Sequence, residues 1–174
     1  SYAMAALKND GSISTWGTPA KGGANPATGS GFAEIFSNNQ SFIARKMDGT
    51  LAGWGQVSNT PTGTGWLRVF PSSFAYTAIK SGGYLQSWGD SASGGTGSPT
   101  TGGFVNVFAT GTAFAALKND GSIISWGNSS NGGVGYPTDT GYIDVSRTLN
   151  AFAALKSDGS IVSWGNSSSG GTGA

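Results

Sequence analysis

The sequence predicts an all-β chain: a β-propeller-like array of about five three-stranded antiparallel blades, one of them incomplete. Three observations carry this expectation. The pair Trp-Gly recurs at Trp16, Trp54, Trp88, Trp126 and Trp164, and all but one of the intervals between them are equal. A tight-turn signal precedes each tryptophan, Asp-Gly in four copies and Gly82-Gly83 in the third, and it lies between two short apolar runs. Glycine fits such a turn because it accepts positive φ without a Cβ clash. Glycine also supplies 31 of the 174 residues, while Asp, Glu, Lys and Arg together supply only 10%. That composition suits many short strands joined by close turns.

Each unit reads as three strands. The first opens on a glycine and an aromatic residue: Gly31-Phe32, Gly65-Trp66, Gly103-Phe104 and Gly141-Tyr142. The clearest unit places strand one at Phe104 to Phe108, strand two at Phe114 to Lys118 and strand three at Ile123 to Trp126. The turn glycines are Gly11, Gly49, Gly83, Gly121 and Gly159. A loop rich in Gly, Ser, Thr and Asn leads to the next unit. The distance from the strand-one aromatic to its tryptophan is constant, so the short interval between Trp54 and Trp88 comes from a deletion within Gln56 to Thr64. A length change confined there marks that segment as a surface loop. The run Ala-Ala-Leu-Lys holds good helix formers, but it is too close to the turn to nucleate a helix.

A three-stranded unit cannot bury both faces alone, and radial stacking of neighbours does so. Ala6, Ala44, Ala78, Ala116 and Ala154 share one repeat position, where small side chains allow blades to converge. A linear β-solenoid is the main rival, but its coils are usually shorter and lack a hairpin in every repeat.

The repeat Ala-Leu-Lys-x-Asp-Gly-Ser-Ile-x-Ser-Trp-Gly-Asn, followed by glycines such as Gly132 and Gly135, resembles that of the regulator of chromosome condensation superfamily. The resemblance covers essentially the whole chain. The short period is similar to the compact bacterial version, whose members include a propeller inhibitor of β-lactamases. It implies a propeller fold, and functions that range over nucleotide exchange factors, enzyme inhibitors and modules of bacterial surface proteins. The family often has a His shortly before the Ala-Leu strand, whereas this chain has none. That departure, with the low charge, counts against the exchange-factor branch.

The expected array is one repeat domain over 1–174, with units ending near 17, 55, 89, 127 and 165. It holds five hairpins but only four first strands. Three explanations stay open: a five-bladed ring with one incomplete blade, a fragment of a longer array, or a gap filled by strands of partner chains. An unpaired edge is a template for another chain, so a homo-oligomer or strand exchange through the incomplete blade is expected.

Composition narrows function. Without Cys or His, no disulfide, Cys/His zinc site or Ser-His-Asp triad can be built. A net charge of +1 gives no field for nucleic acid. No apolar run approaches the roughly 18 residues of a membrane span, and no signal peptide is evident. No metal or cofactor is expected. Asp10, Asp48, Asp120 and Asp158 read as turn residues, because one Asp per hairpin cannot supply the six to eight oxygens calcium needs. The Trp-Gly tryptophans and Trp66 read as packing between blades. Lys8, Lys46, Lys80, Lys118 and Lys156 read as solvated strand ends. Glu34, Arg68, Asn106 and Asp144 share one position, which reads as exposed.

The informative residues break the repeat. Tyr84, Tyr136, Arg45, Arg68 and Arg147 are singular at their positions, and Tyr and Arg are enriched at binding hot spots. These five are the candidate ligand-binding residues. The expected function is a non-enzymatic binding or structural module of a bacterial, adhesin-like repeat protein. It would be extracellular or at the cell surface and would bind a protein or glycan through propeller-face loops. The alternative is an enzyme inhibitor.

Overall fold

Asp-Gly and Gly-Gly turns close a hairpin in every unit, and four of the five hairpins gain a third strand. The computed structural model describes residues 2–173. Blade 1 has two strands, β1 (Ala3–Leu7) and β2 (Ile13–Gly17). Blade 2 is β3 (Phe32–Ser37), β4 (Ser41–Lys46) and β5 (Leu51–Gly55). Blade 3 is β6 (Trp66–Pro71), β7 (Ala75–Lys80) and β8 (Leu85–Gly89). Blade 4 is β9 (Phe104–Ala109), β10 (Ala113–Lys118) and β11 (Ile123–Gly127). Blade 5 is β12 (Tyr142–Arg147), β13 (Ala151–Lys156) and β14 (Ile161–Gly165). All pairings are antiparallel. Among the described residues the only helical segments are 3-10 turns, and no helix is long and apolar enough to cross a membrane.

Consecutive blades pack side by side, with β3 against β1 and β6, and β9 against β6 and β12. The first strands therefore line the inside of the array. Each first strand carries a register shift next to its opening residue, as between Phe32 and Glu34 or Trp66 and Arg68. That bulge turns Leu67, Val105 and Ile143 toward solvent.

The core consists of junctions between blades. At the junction of blades 4 and 5, Ala113, Ala115, Leu117 and Ile123 meet Phe152, Ala154 and Trp164. The aromatic of strand two stacks on the tryptophan of strand three in each complete blade: Phe42 on Trp54, Tyr76 on Trp88, Phe114 on Trp126 and Phe152 on Trp164, with centroids 5.2–5.5 Å apart. Full burial of one such side chain stabilises by roughly 1.5–3 kcal/mol. Ala44, Ala78, Ala116 and Ala154 are all buried, as close convergence of blades requires. Trp66 is buried too.

One tryptophan departs from expectation. Trp16 is 52% exposed, because no described blade lies in front of blade 1. In three later blades the indole N–H donates to a glycine carbonyl of the preceding connection: Trp54 to Gly22, Trp126 to Gly94 and Trp164 to Gly132, each at 3.1 Å. Each of these glycines ends a 3-10 turn in the left-handed region. A Cβ there would fall 2.6–2.7 Å from the Phe ring of the next blade, so glycine is required by contact as well as by φ. The deleted segment after Trp54 forms no such 3-10 turn, and the buried Trp88 indole N–H has no partner among the described residues.

Candidate functional site

The register divides the array into two rims. The hairpin turns and the starts of the first strands lie at one end. The turns joining strands one and two lie at the other, with the 3-10 turns that follow strand three in blades 1, 3, 4 and 5.

At the second rim the chain builds a backbone ladder across blades. Asn39 N–H donates to Ser73 O at 3.2 Å, Ser73 N–H to Gly111 O at 2.9 Å, and Gly111 N–H to Leu149 O at 2.7 Å. Each turn is held by a polar side chain at its start. Ser41 N–H donates to Asn38 Oδ1, Ala75 N–H to Ser72 Oγ, Ala113 N–H to Thr110 Oγ1 and Ala151 N–H to Thr148 Oγ1. Beside the ladder lies an open depression of about 480 Å³, bordered by Asn39, Ser73, Gly111, Arg147, Thr148 and Leu149. Arg147 is the one charged side chain of its lining. This polar mouth has a sequence signal, the recurrent Asn, Ser or Thr before strand two. What could not be read is that the turns of different blades converge.

At the hairpin rim, Gly11, Gly49, Gly82 and Gly121 offer their carbonyls to the start of the next first strand, as in Phe32 N–H to Gly11 O at 3.1 Å. On this braced edge Met47, Leu67, Tyr84, Val105 and Ile143 each leave half or more of their surface exposed. The Tyr84 ring lies close to Gly82 and Gly102. Arg68 is exposed and lies over the Phe70 ring at 4.8 Å. Arg45 is only partly exposed: its Nε donates to Glu34 Oε2 at 2.8 Å, and its Nη1 reaches the Trp66 carbonyl of blade 3 at 3.5 Å.

The five singular residues are therefore not one constellation. Arg45, Arg68 and Tyr84 lie at the hairpin rim of blades 2 and 3. Arg147 borders the mouth at the opposite rim. Tyr136 is half-buried against the core between blades 4 and 5.

The repeated lysines do more than solvate strand ends. The last residue of strand two pairs in register with the first residue of strand one. This sets Lys46 over Phe32 at 5.2 Å, Lys80 over Trp66 at 4.3 Å, Lys118 over Phe104 at 5.2 Å and Lys156 over Tyr142 at 5.1 Å. These are cation–π contacts that close the ends of the blade cores.

All eight carboxylates are engaged locally. Asp10, Asp48, Asp120 and Asp158 accept the backbone N–H two residues on, at 2.8–2.9 Å. The hydroxyls of Ser12, Ser122 and Ser160, and then these N–H bonds, hold Asp10, Asp120 and Asp158 below the usual carboxylate value of 3.8, and the Thr50 N–H chiefly does so for Asp48. Glu34 pairs with Arg45, and Asp90 accepts from Ser93 Oγ. Asp139 is lowered by Lys156 first and then by Tyr142, while Asp144 accepts from Val145 N–H. Desolvation, aided by Asp139, pushes the Tyr142 phenol up to about 12.

No family model matches the chain, and no curated protein matches it. Solved structures do. The ectodomain of the Physcomitrella patens receptor kinase CR4 superimposes with a TM-score of 0.65 at 14% identity, over 94% of this chain and 49% of that one. The CRINKLY WD40 ectodomain of the Arabidopsis thaliana receptor kinase ACR4 gives 0.64 at 18% identity, over 94% and 60%. Yeast RCC1 (Prp20), bound to Kap60, gives 0.64 at 13% identity, over 94% and 54%. This chain thus spans between 49% and 60% of the length of these structures. Identities this low carry the fold alone, and with the blade geometry they give the chain a β-propeller fold similar to those of RCC1 and the receptor-kinase ectodomains.

Proposed function

We propose that the chain is a non-catalytic binding module that docks a protein on its hairpin rim. The observation that carries the reading is the exposure of Met47, Leu67, Tyr84, Val105 and Ile143 along one braced edge, with Arg68 among them. Aromatic, Met and Arg side chains on a rigid scaffold are the composition of a binding hot spot. The engagement of every carboxylate in a turn, strand or ion-pair contact supports a non-catalytic role. One protein of similar fold, yeast Prp20 (RCC1), binds other proteins: Gsp1p and histones, and Kap60. We further propose a location outside the cell or at its surface, a reading supported by the resemblance of the repeat to compact bacterial ones.

The test is a binding screen of the immobilised chain against protein and glycan arrays, with a panel of β-lactamases included. The reading expects a protein ligand whose binding falls at least tenfold in a Leu67→Ser/Tyr84→Ala variant and is unchanged in Ser163→Ala on an outer strand. A ligand indifferent to the rim substitutions, a glycan as the sole ligand, or turnover of a substrate would overturn it. Inhibition of a β-lactamase through the rim would name the bound protein.

A further inference from the structure

Three departures from the repeat coincide in blade 3, an interior blade, and together they rebuild its part of the hairpin rim. Gly82 stands where the other turns have Asp10, Asp48, Asp120 and Asp158. Tyr84 stands where they have Ser12, Thr50, Ser122 and Ser160. Arg68 stands where the other first strands have Glu34, Asn106 and Asp144.

The first two departures are physically linked. Gly82 adopts φ 81° and ψ 1°, whereas none of the four turn Asp residues has positive φ. The Tyr84 ring lies on the backbone of this altered turn: a Cβ at Gly82 would fall 3.0 Å from the ring, and one at Gly102 would fall 3.1 Å from it. Gly103 N–H donates to Gly82 O at 2.8 Å, so the two glycine walls are tied together across blades 3 and 4. The ring is thus braced by backbone while Tyr84 remains 56% exposed. On β6 the register shift between Trp66 and Arg68 turns Leu67 outward. Tyr84 directly precedes β8, and β7 ends between them at Lys80. Two strand spacings, about 10 Å, therefore separate Leu67 from Tyr84, close enough for one short segment to touch both.

Charge follows the same pattern. Blade 2 balances Arg45 and Lys46 with Glu34 and Asp48, blade 4 balances Lys118 with Asp120, and blade 5 sets Asp144 and Asp158 against Lys156 at this rim. Blade 3 has no carboxylate anywhere from Trp66 to Gly89. Its two cations, Arg68 and Lys80, lie over the Phe70 and Trp66 rings and enter no ion pair among the described residues. An uncompensated positive spot therefore sits between two exposed apolar side chains on a rim that is otherwise balanced or acidic.

We infer, on the docking reading above, that the hairpin rim of blade 3 binds a protein segment carrying acidic side chains beside apolar ones, its carboxylates on Arg68 and Lys80 and its apolar side chains on Leu67 and Tyr84. A guanidinium meets a carboxylate through two parallel N–H donors, which fixes orientation as well as attraction. A segment with Lys or Arg in place of the acids would face two unpaired cations, so the site selects by repulsion too.

The experiment incubates the whole chain with an immobilised library of short peptides that combine Leu, Phe or Trp with Asp or Glu in all orders. Twin libraries carry Asn and Gln, or Lys and Arg, in place of the acids. The acidic library is expected to retain the chain about tenfold better than its neutral twin, with the basic twin excluded. Retention should fall severalfold between about 50 mM and 500 mM NaCl. Arg68→Glu, which copies Glu34 of blade 2, is expected to lose the preference for acid, and Tyr84→Ser, which copies three other turns, to lose retention. Arg68→Asn, which copies Asn106, replaces the first variant should circular dichroism show it unfolded. Arg147→Gln removes a charge from the opposite rim and is expected to change nothing. Equal retention by the acidic and neutral libraries would overturn the inference, as would a preference that Arg68→Glu leaves intact, an equal loss in Arg147→Gln, or retention by single-stranded RNA in preference to the acidic peptides. A protein ligand that is lost in Leu67→Ser/Tyr84→Ala but indifferent to Arg68→Glu and to salt would remove this inference alone and leave the docking reading standing.

Discussion

The Tyr76 hydroxyl donates to the Ser41 carbonyl of the preceding blade at 2.8 Å, and the Ser41 hydroxyl lies 3.1 Å from the Tyr76 hydroxyl. The contact stands where the repeat is short. Other junctions are tied by an indole N–H to a glycine carbonyl, but the deletion after Trp54 leaves no 3-10 turn to supply that carbonyl. Tyr replaces Phe at this one position and restores a cross-blade hydrogen bond, while its ring still stacks on Trp88 at 5.5 Å. Burial drives the Tyr76 phenol well above its ordinary value, so it remains a donor throughout the physiological range.

Tyr76→Phe should therefore destabilise the chain by about 1–2 kcal/mol, since it removes the donor and leaves a buried carbonyl without it. Phe114→Tyr in blade 4 should gain nothing, because that junction already has its Trp126–Gly94 bond. Urea midpoints of the two variants check the pair. An unchanged midpoint for Tyr76→Phe would remove this account of the deletion.

Gly132→Ala and Gly170→Ala separate packing from backbone strain. Both positions have positive φ, which costs an L side chain roughly 1–2 kcal/mol. At Gly132 the added Cβ would also lie 2.6 Å from a Phe152 ring carbon, whereas at Gly170 it enters open space. Gly132→Ala is expected to lower the unfolding free energy by at least about 1 kcal/mol more than Gly170→Ala at low protein concentration. Equal losses would mean that Phe152 moves aside freely.

These contrasts show what the sequence could convey. The hairpins were legible because Asp-Gly turn chemistry is local, and the predicted strands of the unit at Phe104 to Trp126 differ from β9, β10 and β11 by one residue at most. The blade stacking followed from the repetition of a three-stranded unit that cannot bury both faces alone. The exposure of Trp16 was not legible, since its repeat position is identical to that of Trp54 and only a missing neighbour distinguishes them. The lysine contacts were hidden for another reason: they depend on the register between strands one and two, which a bulge shifts. Arg45 broke the repeat visibly, but its Glu34 partner lies on the adjacent strand. Tyr76 broke it as clearly as Tyr84, and its meaning emerged only beside the loop deletion.

The lysine contacts give a matched comparison. Lys80 lies over Trp66, whereas Lys8 belongs to blade 1, which has no first strand and hence no ring at that place. Lys80→Gln should cost about 0.5–1 kcal/mol, as an exposed cation–π contact does. Lys8→Gln should leave the denaturation midpoint unchanged. If the two losses are equal, the lysines act only through the general charge of the hairpin rim.

Acid should weaken the fold through the hairpin turns. Asp10, Asp120 and Asp158 are lowered chiefly by the hydroxyl of the Ser two residues on and then by its N–H, and Asp48 chiefly by the Thr50 N–H. A carboxyl lowered by folding binds fewer protons in the folded state than in the unfolded one. Its contribution is therefore complete above the ordinary value of 3.8 and is lost as pH falls through the lowered folded value. The urea midpoint should be flat near neutrality and fall on going to about pH 3. Asp120→Asn/Asp158→Asn keeps an amide oxygen to accept the turn N–H but cannot titrate, so its midpoint should fall less steeply over that range. An identical acid slope in parent and variant would assign the acid loss to other groups, Asp139 with its Lys156 partner first among them.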